Sequence, residues 1–345
     1  MKTRVLDAYD MAEIFRAVGR DAIMDRVINE LTAALSASAT GDRHQTFARS
    51  GFIRTARGPG VLEWMPHYER GRSATVKMVA YTPTNPVEHA MPTVLGTVTR
   101  YEDATGRLTA CADAVVLTAV RTGAASAVAS RLLASRSSRA VGLIGAGAQA
   151  VTQLHALSRV FDVAQVLVHD VNEDNARSFL ARTAWLGLNM RVTTAQEAAE
   201  GSDILCTATT TGIGQPPLFH DKNIPNHLHI NGIGSDLPGK TELPLDLLRR
   251  AFVCPDFPEQ ARREGECQQL SHDEIGPALA TLCKHPEIAE SVREELTVFD
   301  STGTPLEDHI TLDIFLEFAA ERGIGNEIQI EYHPDDVLNP YPFLS

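Results

Sequence analysis

The run Ala140-Val-Gly-Leu-Ile-Gly-Ala-Gly-Ala-Gln-Ala150 constrains this chain more than any other. A short apolar run ends in a glycine-rich turn, and helix-like residues Val151 to Phe161 follow. A second apolar run from Gln165 then ends in Asp170. The order strand, tight turn, helix, strand, acid predicts a dinucleotide-binding βαβ unit. Gly145 makes the turn, Gly147 lets backbone approach a pyrophosphate, and Ala150 is small enough for close helix–strand packing. The helix start then faces the phosphates. Asp170 lies 20 residues beyond Ala150, where a carboxylate can accept from both ribose hydroxyls and would repel a 2′-phosphate. NAD is therefore expected rather than NADP. The alternative is a tight strand–helix turn that binds no nucleotide.

After Arg139 the text alternates between strand and helix. Strands are expected at 140–145, 165–170, 190–194, 203–207, 228–232, 251–254 and 297–300. This is the pattern of an α/β fold with a Rossmann-type, doubly wound parallel sheet. Earlier residues read differently. Residues 1–40 read as helices, over Asp7 to Val18 and Asp21 to Leu35. Gly58-Pro59-Gly60 breaks the chain, and strand-like runs follow at Val61 to Met65, Thr75 to Tyr81 and Thr93 to Tyr101. Turns are expected at Pro83 to Pro86 and Glu102 to Gly106, and a helix over Leu117 to Leu133. A helix over Leu312 to Arg322 and a short strand over Glu327 to Tyr332 fall outside the alternation. They are expected to pack back on the N-terminal part. The expected division is therefore an α+β domain of residues 1–122 plus 308–345, interrupted by a nucleotide domain of residues 123–307.

A chain of 345 residues has room for two such domains. Its net charge of -13 argues against nucleic acid or an anionic membrane as partner, since both need a basic face. No apolar run approaches the roughly 18 residues of a membrane span, and the N-terminus lacks the apolar core of a signal peptide. Five scattered cysteines without CxxC spacing suit reduced thiols in a cytoplasm. His44, His67, His155, His169, His227 and His229 form no ligand pattern, although His227 and His229 would share a face of an expected strand. No metal is expected.

Several polar residues are out of character for scaffold. Asp236 stands in the glycine- and proline-rich loop Asn231 to Leu243, after an expected parallel strand, where open α/β sheets place ligands. Arg121 interrupts a helix of small residues, Lys77 sits in a strand, and Arg49 lies near Gly51. Together they could clamp a carboxylate, the arginines by a planar donor fork and the lysine by a compact charge. Glu63, between Leu62 and Trp64, would be partly desolvated and so suited to acid–base work. Each has a plain alternative: a solvated turn for Asp236, surface ion pairs for the cations, an outward strand position for Glu63.

These residues lie in segments that resemble the ornithine cyclodeaminase/μ-crystallin family, most of all its lysine cyclodeaminase branch. The segments are 60–67, 117–127, 145–149, 227–244, 264–270 and 298–303. The resemblance implies that Asp236 is a catalytic aspartate, Glu63 the second acid–base carboxyl, and Arg49, Lys77 and Arg121 the carboxylate-binding cations. Arg54 and Arg57 lie close enough to compete for the role of Arg49. Thr93, Thr122, Gly147, Ala148, Gln149, Asp170, Thr207, Ser301 and Gly303 match positions that surround NAD. Val61 and Val94 flank Glu63 and Thr93 and are candidates for the substrate-pocket wall, or else ordinary strand core. The implied reaction turns L-lysine into L-pipecolate and ammonia by internal hydride transfer, with L-ornithine to L-proline as the alternative. An amino-acid dehydrogenase or ketimine reductase, or a non-enzymatic binder, is a more distant reading. The family also implies a homodimer built through the domain of the two chain ends.

Overall fold

A computed structural model describes residues 2–39, 41, 43–54 and 60–341. The expected break at Gly58-Pro59 and the rival Arg57 lie outside the described residues.

The chain starts with a strand that helix periodicity conceals. β1 (Thr3–Leu6) precedes α1 (Ala8–Val18) and α2 (Arg20–Ser38). Asp7 closes the strand by capping α1, accepting from the Tyr9 and Asp10 amides while Asp10 accepts from Asp7. Next come β2 (His44–Thr46), β3 (Ser50–Arg54), β4 (Gly60–Glu69), β5 (Ser73–Tyr81), β6 (Val94–Glu102) and β7 (Leu108–Asp113). The turn expected at Pro83 to Pro86 runs instead into a single helical turn, α3 (Asn85–Glu88). Strands β4 to β7 form an antiparallel meander, and β2 and β3 both pair with β4. β1 lies parallel to β7, and β15 (Asn326–Ile328), shorter than expected, pairs with β1.

Because strand side chains alternate, one face of this sheet is fixed by register. Val61, Glu63, Met65, His67 and Glu69 of β4 face inward with Thr75, Lys77, Val79 and Tyr81 of β5. α12 (Pro305–Arg322) packs across β4 and β5 on that face.

The second sheet contains β8 (Ala140–Ile144), β9 (Gln165–His169), β10 (Met190–Val192), β11 (Ile204–Thr207), β12 (His229–Gly232), β13 (Phe252–Pro255) and β14 (Thr297–Asp300). Its order is β10-β9-β8-β11-β12-β14-β13, and every pair is parallel. Each strand read from the sequence is present. His227 precedes β12 and reaches Asp203, whereas His229 is buried against Thr297, so the two histidines do not form a pair on one strand.

α4 (Val115–Leu133) and α5 (Ala148–Val160) pack so closely that a Cβ on Gly123 would lie 2.4 Å from the Thr152 carbonyl oxygen. Gln153 Nε2 also donates to the Thr122 carbonyl at 3.2 Å. The remaining helices connect or flank the parallel strands: α6 (Glu173–Arg182), α7 (Ala195–Glu200), α8 (Leu245–Arg250), α9 (Pro258–Glu264), α10 (Leu279–Lys284) and α11 (Pro286–Glu290). Among the described residues no helix is long and apolar enough to cross a membrane.

Candidate active site

The glycine turn leaves β8 at the carboxyl edge of the parallel sheet. Gly145 has φ +96, and a Cβ there would meet the Ala208 carbonyl oxygen at 2.5 Å, so both conformation and space require glycine. Gly147 is the N-cap of α5 and supplies no side-chain cap, and a Cβ added there would meet nothing within 4 Å. Gly147 and Ala148 are exposed, so α5 begins at the surface with the positive end of the helix uncapped there. Asp170 follows β9 and accepts from the Ala146 amide at 2.8 Å and from the Asn172 amide at 2.9 Å. Its carboxylate oxygens have further lone pairs, which suits the ribose hydroxyls. Arg182 donates to the Ala146 carbonyl at 2.6 Å and braces the turn from α6. Buried Gln149 Oε1 and Ser301 Oγ have no protein partner. An uncapped helix start, an acid at the next strand end and unsatisfied polar atoms fit a dinucleotide such as NAD.

Other expected cofactor residues follow the same edge. Thr207 ends β11, and Ser301 and Gly303 follow β14. Thr122 is buried on α4 with its hydroxyl bonded to the Thr118 carbonyl. Thr93 instead belongs to the first sheet, just before β6, where its carbonyl accepts from the Thr82 amide.

The three cations are buried, which removes the surface-ion-pair alternative. Arg49 Nη2 lies 2.5 Å from Glu264 Oε2 and donates to the Asp236 carbonyl at 3.3 Å, while Nη1 lies 3.7 Å from Glu63 Oε2. Arg54, its described rival, bonds to Thr82 Oγ1 and the Tyr81 carbonyl instead. Lys77 Nζ contacts the Asp308 carboxylate at 2.7 Å. Arg121 reaches the same group with Nε at 3.1 Å and Glu307 with Nη1 at 2.9 Å. Asp308 thus joins Lys77 of the first sheet to Arg121 of α4.

Glu63 points inward rather than to solvent. Burial raises its carboxyl pKa and the neighbouring acids Glu264 and Asp236 add to the rise, with Arg49 opposing them. Burial, with Arg121 beside it, lowers the Lys77 ammonium to about 8. Glu307 is pushed up to about 7, again by burial first and then by Asp256 and Asp308 against the pull of Arg121. Carboxyls of Glu63, Glu264, Glu307 and Asp308 thus stand against the three cations, so the site holds acid–base groups as well as positive charge.

Val61, Tyr81 and Val94 are register partners on three adjacent strands and stand abreast at one end of the inward face. Tyr81 was not singled out from the sequence, nor were Lys240, Glu264 and Asp308. Lys240 and Glu264 do lie within the segments that carried the family resemblance. Asp236 is held at Oδ1 by Lys240 Nζ at 2.8 Å, and Lys240 Nζ also lies 3.4 Å from the Tyr81 hydroxyl.

Residues 9–322 match the sequence profile of the ornithine cyclodeaminase/mu-crystallin family. The chain belongs to that family. Within the ornithine cyclodeaminase/mu-crystallin family it is 49% identical to L-lysine cyclodeaminase of Streptomyces rapamycinicus, over 99% of each chain. It is 32% identical to an ornithine cyclodeaminase of Agrobacterium fabrum, over 86% of this chain and 81% of the other. A solved lysine cyclodeaminase, from a study of its recognition of L-lysine, L-ornithine and L-2,4-diaminobutyric acid, superposes with a TM-score of 0.97 at 52% identity. That match covers 99% of both chains. An archaeal alanine dehydrogenase dimer with bound NAD gives 0.84 at 30% identity, over 96% of this chain and 100% of the other. The reading of an α/β fold with a Rossmann-type parallel sheet beside a second sheet therefore holds.

Proposed function

We propose that this protein converts L-lysine to L-pipecolate and ammonia, using tightly bound NAD. The observation that carries the reading is Arg49, which lies 3.7 Å from the Glu63 carboxylate and donates to the Asp236 backbone carbonyl, so that two acid residues from separate elements meet at one guanidinium. The 49% identity to a lysine cyclodeaminase supports the substrate. When bound, NAD supplies hydride acceptance at Cα and hydride return to the ring, so the overall reaction is redox-neutral. Lys77 and Arg121 bind the substrate carboxylate, with Arg49 completing the clamp, and so aim Cα at the cofactor. A terminal amine attacks only when neutral, yet free in water it has a pKa near 10.4. Asp236 takes that proton, and Glu63 delivers one to the ammonia leaving Cα. Cations for the one carboxylate and carboxyls for the two amines suit a substrate that carries both.

L-Ornithine is the second reading, because the solved relative is described as recognising it as well. Val61, Tyr81 and Val94 form the wall that would meet one methylene more or less.

The outward face of the first sheet supports a homodimer: Phe52, Trp64 and Met78 are exposed there, with Trp64 and Met78 in register. The cysteines stand unpaired, which supports a reducing cytoplasm. The division into residues 1–122 plus 308–345 and 123–307 runs through α4 and α12, so each helix belongs to both units.

The test is incubation of purified protein with L-lysine or L-ornithine, catalytic NAD⁺ and no reductant. L-Pipecolate and one ammonia per lysine, without NADH accumulating, is the expected outcome. One NADH per ammonia would establish a dehydrogenase instead.

A further inference from the structure

Lys240 is the odd charge in this site. It is 1% exposed, in the loop after β12, and its ammonium is tied to the residue that should serve as base. Asp236 Oδ1 holds Lys240 Nζ at 2.8 Å. Tyr81, from β5, offers its hydroxyl at 3.4 Å and its ring at 5.0 Å from the centroid. Glu242, from the same loop, is the other acid facing Lys240. Arg49 donates to the Asp236 backbone carbonyl, and Arg49 and Glu63 are the other charged groups that act on Asp236. Asp236 keeps 28% of its side chain exposed, so one carboxylate edge is available to a ligand while Lys240 holds the other.

We propose that Lys240 is a fixed positive charge beside a shared carboxylate, which disfavours the protonated form of the substrate's terminal amine and so holds that amine ready to attack. The inference rests on the diamine reading above. The substrate's terminal ammonium and Lys240 would compete for Asp236, and two cations on one carboxylate repel. The substrate's ammonium can lose its proton to Asp236 and on to solvent through the exposed edge, whereas Lys240 cannot: burial opposes its charge, but Asp236 and the Tyr81 oxygen outweigh that and raise its pKa. With Cα at the imine level, the proton leaves the terminal nitrogen, the freed lone pair forms the ring C–N bond at Cα, and the bond from Cα to the α-nitrogen then breaks as Glu63 gives that nitrogen the proton with which it departs as ammonia.

The experiment compares wild-type, Lys240→Met and Lys240→Arg proteins, each first checked for NAD binding. With L-lysine, the acidic limb of the kcat–pH profile should move up by about 1–3 pH units in Lys240→Met, the scale set by a nearby charge. Lys240→Arg should restore it. S-(2-Aminoethyl)-L-cysteine, whose terminal amine is the weaker base, should lose less rate than L-lysine in Lys240→Met. A limb that stays in place in Lys240→Met, with equal losses for both substrates, overturns the proposal. A second measurement needs no turnover: calorimetry of L-lysine binding to the NADH-loaded protein in buffers of different ionisation enthalpy. Wild type should release close to one proton on binding near neutral pH, and Lys240→Met clearly less. Equal release from both overturns the proposal even if wild type forms no cyclic product, an outcome that would separately refute the cyclodeaminase reading.

Discussion

A Cβ at position 303 would stand 2.4 Å from Nη1 of Arg121, so the Gly303 backbone and the Arg121 guanidinium are in direct contact. Gly303 also has φ +84, and Asp256 accepts its amide at 2.6 Å. The segment after β14 is therefore shaped around the cation that should bind the substrate carboxylate. Gly303→Ala should cost about 1–3 kcal/mol for the backbone conformation alone. It should also displace Arg121, raising KM for L-lysine by about tenfold or more, the effect of about 1.4 kcal/mol of lost binding. Thermal unfolding and steady-state kinetics would check both. An unchanged KM would remove Arg121 from the clamp.

Asp236→Asn keeps the shape of the side chain but not its capacity to take a proton. Turnover should fall by roughly 100-fold or more, the usual scale of acid–base contributions. NAD should still bind, because the glycine turn and Asp170 are separate from the loop after β12. Lys77→Ala or Arg121→Ala should instead weaken amino-acid binding first, with turnover reduced because Cα is misaimed. Near-normal turnover in Asp236→Asn would exclude this residue as the base.

Asp170→Ala should weaken NAD binding and narrow the preference over NADP, since it removes both the ribose acceptor and the repulsion of a 2′-phosphate. The Ala146 amide loses its acceptor in the same change, so the turn itself should loosen. Titration of both cofactors by fluorescence gives the two affinities. Equal affinities before and after the change would place the ribose elsewhere.

The lowered Lys77 gives a pH dependence with a definite sign. With its ammonium at about 8 in the folded chain, kcat/KM for L-lysine should fall above about pH 8 as the clamp loses charge. Lys77→Arg keeps the charge and should flatten that fall. Stability should not follow. The unfolded lysine, near 10.4, holds more protons than the folded one between about pH 8 and 10.4, so this group makes stability rise with pH there. Melting curves at pH 7 and 9 would separate lost binding from lost fold.

The parallel sheet was legible because each of its strands is a short apolar run with a turn after it, and Gly145, Gly147 and Asp170 lie within one continuous βαβ stretch. β1 was not, since four residues ahead of two strong helical patterns carry too little periodicity. Its partner β7 lies over a hundred positions away. The charged interior shows the same limit. Lys77 and Arg121 could be picked out by type and setting, but the acid that joins them, Asp308, is 231 positions from Lys77. Tyr81 was read only as the end of an expected strand, because its meaning comes from Lys240, 159 positions on. Register and long-range pairing made the difference, and neither is written in local spacing.

The close seating of α4 on α5 has a consequence for how such a site can change. Arg121 is rigidly one residue from the Thr122 carbonyl that α5 grips, and α5 begins at the glycine turn. If Arg121 anchors the substrate carboxylate as proposed, its distance from the glycine turn is set by packed helix, at about 1.5 Å per residue. The opposite end of the site hangs on a loop, from Gly234 to Lys240. On that reading, substrates of different reach would be met at the amine end, while Cα keeps one address.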